Sequence, residues 1–231
     1  MFPPTHWSLV REAGQPAEGF NPSLETLCRG YWQPLFTYLL RNGYSRHDAE
    51  DIVQGFLARV LAREDLAGVS PEKGRFRTFL LTSLRNYVIK HKLREKTLKR
   101  GGGVAVIPLD TEEAQRLCGP DLSAVSPEAA FDRSWVRTVV DKAFQRLRDE
   151  HRARDKEAWY EALAPFVGGA QPGEYAAVAA RLGMAEGAVT VAVHRLRLRL
   201  RELVRAEVAQ TVGSSADLEA EMKYLFDVWS K

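Results

Sequence analysis

Residues 174–199 have the sequence EYAAVAARLGMAEGAVTVAVHRLRLR, in which Gly183 separates two apolar helical segments. A helix-turn-helix needs a small residue where its helices cross, a tight turn through a left-handed glycine, and an apolar anchor in the second helix. Ala179, Gly183 and Val189 occupy these three positions, at steps of four and six residues. The spacing therefore predicts a helix-turn-helix, with an ordinary helical hairpin as the alternative.

The second half of this stretch continues as VHRLRLRLREL, in which arginine and leucine alternate with the period of a strand. A helix also fits, because apolar residues from Val189 to Val204 recur mostly at steps of four and three. Neither glycine nor proline interrupts residues 188–212, and a strand of that length would be exceptional. We predict a helix, with Leu198 off its apolar face.

The predicted second helix would enter the major groove of DNA with its N-terminal half, and nearby cations would hold phosphates. The residues predicted to face the duplex are Glu186, Thr190, Val191, His194, Arg195 and Arg199. Thr190 and Val191 suit contact with a thymine methyl group. Arg195 and Arg199 are one helical turn apart and share a face, whereas Arg197 points elsewhere, toward a protein partner.

A basic stretch precedes this motif at residues 76–103, with the sequence FRTFLLTSLRNYVIKHKLREKTLKRGGG. From Arg75 to Arg100 there are nine lysines and arginines, and Glu95 is the only carboxylate. The net charge of the whole chain is only +3, so positive charge is concentrated here. Cations interleaved with aromatic rings favour single-stranded nucleic acid, because cations hold its backbone and rings its bases. The alternatives are a solvated face over core aromatics and a helix that lies on anionic lipid.

An acidic cluster lies at residues 47–54, HDAEDIVQ, where Ser45 is the predicted N-cap of a helix. Carboxylates near a helix N-terminus normally stabilise the helix, which is the simplest interpretation. An acid–base pair or a metal site is the alternative. Motifs such as GxSxG, HExxH and a phosphate-binding loop do not occur, so we predict neither an enzyme nor a cofactor or metal site.

Periodicity along the chain predicts an all-α fold with two helical domains joined by an irregular linker. The predicted segments are an N-terminal segment 1–23, a first domain 24–102, a linker 103–130, a second domain 131–212 with the helix-turn-helix, and an extension 213–231. Pro34 is expected to kink or divide the first helix. The N-terminus does not resemble a signal peptide. The sequence contains no run of about 18 apolar residues, so membrane insertion is not predicted. A cytoplasmic protein is the expectation.

The extension ends in SSADLEAEMKYLFDVWSK, which predicts a short amphipathic helix capped by Ser215 or Asp217. Its apolar side would carry Leu218, Met222, Leu225, Phe226 and Trp229. Such a short helix needs a partner surface. We expect it to complete the core of the second domain; the alternatives are an acidic lid over a basic DNA-binding face, or disorder.

The acidic cluster, the basic stretch and the helix-turn-helix, in this order along the chain, resemble those of an alternative bacterial RNA polymerase sigma factor of the extracytoplasmic-function group. Residues 24–100 are similar to the second conserved region of that family, through DAEDIVQGFLARVL and GRFRTFLLTSLRNYVIKHKLR. Residues 131–208 are similar to its fourth region, which ends in EGAVTVAVHRLRLRLREL. The sequence departs from the family in three places. The family often has Lys-Ser-Arg after the Thr-Val of its recognition helix, whereas Ala192 follows Thr190 and Val191 here. A tryptophan common in the melting helix is Phe79, and the tail after residue 212 exceeds the minimal family architecture.

The resemblance implies a factor that binds core RNA polymerase and directs promoter recognition, melting and transcription initiation. Its polymerase-binding residues would be Asp48, Glu50, Asp51 and Gln54. Its contacts with the melted minus-ten element would be Arg77, Phe79, Arg85, Asn86, Tyr87, Lys90 and Arg94. The second helix of the helix-turn-helix would read the minus-thirty-five element. The family also allows an anti-sigma factor or another regulator as a partner. The alternative function is a stand-alone two-domain DNA-binding regulator, or a decoy relative that does not support initiation.

Overall fold

The computed structural model describes residues 22–62, 75–98, 125–168, 174–212 and 214–230. Within these ranges the chain forms helices and no strand, which confirms the all-α prediction. Residues 103–124 of the predicted linker and residues 1–21 of the N-terminal segment fall outside the described residues. The linker was predicted to extend to residue 130, but a helix already begins at Pro127.

Eight α-helices and one short 3₁₀-helix occur in the described ranges. The first four are α1 (Pro22–Arg41), α2 (Arg46–Leu61), α3 (Phe76–Leu98) and α4 (Pro127–Arg152). They are followed by α5 (Glu157–Leu163), the 3₁₀-helix Ala164–Phe166, α6 (Glu174–Leu182), α7 (Glu186–Ala209) and α8 (Ser215–Trp229).

The chain divides into two compact units, and the second is an insertion in the sequence of the first. The first unit contains residues up to Thr138 together with those from Ala209 onward, and the second contains Val139–Val208. The boundary therefore lies inside α4, downstream of the boundary expected from the sequence. The C-terminal extension belongs with the N-terminal helices.

The core of the first unit is built from the apolar sides of its helices, and residues 34–40 of α1 are buried on every side. On α2 the predicted face is buried, with Ile52, Val53, Phe56, Leu57 and Val60 inside. The other core side chains include Leu35 and Leu39 of α1, Phe76, Leu80 and Leu84 of α3, and Phe131 and Trp135 of α4. Complete burial of one such side chain contributes about 1.5–3 kcal/mol.

Local hydrogen bonds set the boundaries of α1 and α2. Ser45 is the N-cap of α2 as predicted, because its Oγ accepts from the backbone N–H of Asp48 at 3.1 Å. Gly43, with a φ of 81°, makes the turn between the two helices. Pro34 lies inside a single helix, so the expectation that it divides the helix was wrong, whereas the alternative, a kink, stays a prediction. The proline removes one backbone donor, while burial of Leu35 and Leu39 directly after it stabilises the continuous helix.

In the second unit, α6 and α7 have the geometry expected of a helix-turn-helix. The two helices meet at a bend of 101°, within the usual range for this motif. Gly183 adopts a φ of 62°, and the backbone N–H of Met184 donates to the carbonyl of Ala179 at 2.9 Å. Ala179 and the anchor Val189 are buried.

The alternating arginine–leucine run lies in α7, which confirms the prediction of a helix over a strand, with Leu198 exposed as expected. Among the described residues, no single helix is long and apolar enough to cross a membrane. The bent pair Tyr175–Leu182 and Glu186–Ala209 meets the criterion only jointly, by length and composition.

The extension forms α8, which belongs to the first unit. The expectation that it completes the core of the second domain is therefore wrong for Val139–Val208, although Tyr224 of α8 bonds to Asp132 inside the predicted bounds 131–212. The alternative of disorder is wrong for residues 215–229, which are helical. Its N-cap is Ser214, one residue before the predicted position. Leu218, Met222 and Leu225 are buried as expected.

Phe226 and Trp229 of the same helix are exposed, contrary to the prediction that they share its apolar side. Phe226 is rotated by about 100° from Leu225. Trp229 is the last residue of α8, where the packed surface ends.

Candidate nucleic-acid interface

The exposed side of α2 carries most of the predicted polymerase-binding residues. Asp48, Asp51 and Gln54 are exposed, whereas Glu50 is half-buried. Their contacts are local: Arg46 pairs with Glu50 at 2.9 Å, and the Ser45 hydroxyl donates to Asp48 Oδ2 at 2.7 Å. Asp51 lies 3.6 Å from the His47 ring nitrogen Nε2. The carboxylates therefore remain accessible to a partner.

Two apolar residues that were not predicted extend this surface toward the end of α2. Ala58 and Leu61 are exposed, and with Asp51 and Gln54 they fall within an arc of roughly 80° on the helix. We call Asp48, Asp51, Gln54, Ala58 and Leu61 the α2 face. It combines carboxylates with an exposed leucine, which suits a protein partner better than a nucleic acid.

A second exposed surface follows α3. The α3 face consists of Thr78, Thr82, Arg85, Asn86, Ile89 and Lys90. It lies opposite the buried Phe76, Leu80 and Leu84, and its Ile89 is 57% exposed. The face offers cations for phosphates, an amide for base edges and an apolar side chain for base rings. Sequence reasoning found Arg85, Asn86 and Lys90. It missed Thr78, Thr82 and Ile89, although helical spacing from Arg85 places them on the same side.

Arg85 is exposed on this face but already has partners. Its Nε donates to the Tyr38 hydroxyl at 2.9 Å, and its Nη2 forms an ion pair with Glu128. The hydrogen bond to Tyr38 raises the pKa of Arg85, and Glu128 adds to the effect. An exposed ion pair of this kind contributes at most about 1 kcal/mol, so a phosphate can replace Glu128.

The two predicted stacking rings lie beside the core instead of on the α3 face. Tyr87 is half-buried, with its ring 5.9 Å from that of Phe56 on α2 and the Arg59 guanidinium 5.8 Å above it. Phe79 is also half-buried, with its ring 5.9 Å from that of Phe76. Both residues contact core rings, which the sequence did not separate from exposed ones. The side chain of Arg94 lies outside the described part of the chain.

Arg77 is not available to a phosphate in this structure, so its predicted DNA contact is corrected. The residue is only 7% exposed and directly follows the buried Phe76. It pairs with Glu221 of α8, Nε to Oε1 at 2.6 Å, and with Asp132 of α4. Burial alone would lower the pKa of Arg77, but the Glu221 and Asp132 carboxylates raise it above its ordinary value.

In the second unit, the N-terminal half of α7 presents the predicted duplex-facing set. Glu186, Thr190, Val191, His194 and Arg195 are all exposed. The Thr190 hydroxyl donates to the carbonyl of Glu186 at 3.2 Å, so it is already satisfied within the helix. This part of α7 is therefore poor in unsatisfied donors, apart from its cations and His194.

Two of the α7 arginines form bonds within the second unit. Arg199 makes a two-pronged ion pair with Glu150, at 2.9 and 2.7 Å, and also contacts Glu202. Hydrogen bonding to these carboxylates raises the pKa of Arg199, and Arg199 lowers that of Glu150. Arg197 donates to the carbonyls of Phe166 and Val167. It does point away from Arg195, but toward its own unit instead of a partner.

Comparison with known families assigns the N-terminal helices. Residues 27–97 match the family model described as Sigma-70 region 2. The chain therefore contains a sigma-70 region 2 domain. The match supports a sigma-factor-like role in promoter recognition and transcription initiation, in which the partners are core RNA polymerase and promoter DNA. The α2 face and the α3 face both lie inside the matched residues. No curated protein and no solved structure gives a significant match to the chain.

Proposed function

We propose that this chain is an alternative sigma factor of the extracytoplasmic-function type, which binds core RNA polymerase and directs promoter recognition, melting and initiation. The observation that carries the proposal is the pair of exposed faces inside the sigma-70 region 2 domain. The α2 face is acidic, whereas the α3 face carries cations and an amide. One domain therefore offers separate surfaces for a protein and for a nucleic acid. In this role the protein is not an enzyme and acts in the cytoplasm.

The α2 face is the proposed docking surface for core polymerase. Its carboxylates make exposed, local contacts, Asp48 with the Ser45 hydroxyl and Asp51 with the His47 ring, and exposed contacts of this kind contribute at most about 1 kcal/mol each and can be exchanged for cations of a partner. Exposed Leu61 supplies apolar area at the end of the same face. Glu50, which is half-buried and paired with Arg46, is a secondary contact.

The α3 face is the proposed site for the melted strand of the minus-ten element. Lys90 and Arg85 would hold backbone phosphates, and Asn86 and Ile89 would contact unstacked bases. All four side chains are exposed on one side of α3, which supports this assignment.

The α6–α7 pair is the proposed reader of the minus-thirty-five element. The 101° bend and the exposed N-terminal half of α7 support insertion into the major groove. Thr190, Val191 and His194 would face base edges. Arg195 would hold a phosphate, and Arg199 would do so after exchange of its contacts with Glu150 and Glu202.

Reversal of charge on the α2 face tests the proposal. The cap of α2 uses the backbone N–H of Asp48, so Asp48→Lys retains that bond. We expect Asp48→Lys/Asp51→Lys to lose co-purification with core polymerase while the protein remains folded. The matched control is Asp217→Lys/Asp227→Lys, because Asp217 has the same capping geometry in α8.

Two results contradict the proposal. Retention of core polymerase by the α2 double variant rejects the α2 face. Failure of the parent protein to bind core polymerase, while it still binds DNA, favours a stand-alone regulator.

A further inference from the structure

A buried carboxylate of the C-terminal helix connects α8 to the start of α3. Glu221 is 1% exposed and lies 144 residues from Arg77 in the sequence. Its Oε1 accepts a hydrogen bond from Arg77 Nε at 2.6 Å, and its Oε2 lies 2.9 Å from Arg75 Nε as an ion pair without hydrogen-bond geometry. One carboxylate thus joins two arginines of the basic stretch, and its residue lies outside the matched residues 27–97.

Further side chains complete this cluster. Arg77 also pairs with Asp132 of α4, whose second oxygen accepts from the Tyr224 hydroxyl of α8 at 2.5 Å. The Arg77 guanidinium lies 4.2 Å from the centre of the Tyr224 ring and 5.3 Å from that of Trp135. A buried ion pair is stable only when such additional contacts satisfy its charges, and removal of one partner leaves the other charge uncompensated.

The position of the cluster determines what it does to α3. Arg75 immediately precedes the helix, and Arg77 is its second residue. The first turn of α3 has no acidic residue of its own, unlike those of α2, α4, α5, α7 and α8. A negative charge near a helix N-terminus is stabilising, and Glu221 lies against side chains at that end of α3.

Burial indicates that α8 is a permanent part of the first unit, not a displaceable lid. Leu218, Met222 and Leu225 are buried in the same turns that carry Glu221. Displacement of α8 would expose all three side chains and would remove Glu221 from Arg77. The lid considered from the sequence is therefore not favoured by this packing.

We propose that α8 completes the sigma-70 region 2 domain, and that Glu221 is a positioning residue which holds the first turn of α3 in register for single-stranded DNA. It acts through Arg75 and Arg77, and it does not touch the nucleic acid. The proposal rests on the proposed function, because the α3 face is the surface being positioned. It extends that function to a residue in the last helix of the chain.

The test compares Glu221→Gln with Asp227→Asn in the full-length protein. Each variant removes one negative charge from α8, and the Asp227 residue is exposed. Affinity is measured for a fluorescent mixed-sequence single-stranded oligonucleotide and for duplex DNA, at a temperature where all variants are folded. Loss of negative charge by itself strengthens binding to DNA in both variants, whereas mispositioning weakens it only in Glu221→Gln.

We expect Glu221→Gln to bind the single strand about tenfold more weakly. This is the effect when the fraction of protein in the binding-competent conformation falls to about one tenth. Duplex binding through α7 should equal that of Asp227→Asn, and amide hydrogen exchange should accelerate in the first turn of α3. Loss of folding throughout the chain would weaken single-stranded and duplex binding together, and an unchanged melting temperature of the first unit excludes its local unfolding. Single-strand affinity equal to that of Asp227→Asn overturns the proposal, and so does stronger binding, which indicates a lid.

Two further variants keep the test decisive. Tyr224→Phe removes only the hydroxyl that donates to Asp132, so it applies if Glu221→Gln does not fold, and it should weaken single-strand binding to a smaller degree. Unchanged affinity in Tyr224→Phe would then overturn the proposal. Lys90→Ala tests the α3 face separately from the role of Glu221. Normal single-strand binding by this variant counts against the α3 face itself. Weakened binding by Lys90→Ala with normal binding by Glu221→Gln rejects only the role of Glu221.

Discussion

The packing of Tyr87 against α2 leads to a prediction whose sign reverses in two backgrounds. A Cβ added at Gly55 would lie 2.6 Å from the Tyr87 hydroxyl oxygen and 3.6 Å from ring carbon Cζ. Alanine is favoured over glycine inside a helix by about 1 kcal/mol. The clash has an opposite effect, since overpacking of this kind costs about 1–3 kcal/mol. Gly55→Ala should therefore leave stability unchanged or lower it by up to about 2 kcal/mol in the parent chain.

The same substitution should stabilise the protein once the hydroxyl is absent. In a Tyr87→Phe background the nearest atom to the new methyl group is at 3.6 Å, an ordinary van der Waals contact. Gly55→Ala should then raise the free energy of unfolding by up to about 1 kcal/mol. The two positions should accordingly be coupled by about 1–3 kcal/mol in a double-mutant cycle.

Equilibrium denaturation of the four proteins measures this coupling. A difference of 1 kcal/mol corresponds to roughly 2–4 °C in the melting temperature of a unit of about 160 residues. If Gly55→Ala has the same effect with Tyr87 and with phenylalanine at that position, the ring does not pack over Gly55. Tyr87 would then be free for the stacking role suggested by the sequence.

Three further predictions concern charged groups. Lys90→Ala should lower the slope of log affinity against log salt by about one for single-stranded DNA. An unchanged slope would show that Lys90 does not contact the DNA backbone. The control is Lys223→Ala, because Lys223 is also exposed. Arg197→Ala should lower the free energy of unfolding by about 1.5–3 kcal/mol, because its bonds to the carbonyls of residues 166 and 167 are lost. Arg195→Ala should instead weaken duplex binding and leave stability normal. A reversed pattern would refute both assignments. Because Arg199 lowers the pKa of Glu150, that carboxylate contributes stability above its unfolded pKa of about 4.3, and the contribution is lost as pH falls through the lower folded pKa. The stability difference between the parent and Glu150→Gln should therefore be largest near neutral pH and should disappear in acid, and a difference independent of pH would contradict the pairing.

Features that depend on neighbouring residues were predictable from the sequence. The buried face of α2 follows from helical spacing, and the Ser45 cap follows from side chain–backbone geometry within one turn. The helix assigned to the arginine–leucine run was predictable from its length, and the left-handed Gly183 from the turn that it must make.

Features that depend on which surfaces meet in space were not predictable. A count of cations cannot distinguish Arg77, which is paired in the core, from Lys90, which is exposed. The amphipathic pattern of α8 showed that the helix needs a partner, but it did not show that the partner is the first unit. The Glu221–Arg77 pair joins residues far apart in sequence, so no local pattern reports it.

The most direct test of the proposed sigma function is reconstituted transcription. Core RNA polymerase is incubated with fragmented genomic DNA, with and without this protein, and the 5′ ends of the RNA products are sequenced. A sigma factor should produce start sites that require the protein and share two upstream sequence elements. These start sites should disappear with Asp48→Lys/Asp51→Lys and persist with Asp217→Lys/Asp227→Lys. The proposed sigma function is contradicted if no start site depends on the protein although the protein is folded and bound to core polymerase. That result would indicate a decoy that occupies the polymerase without supporting initiation.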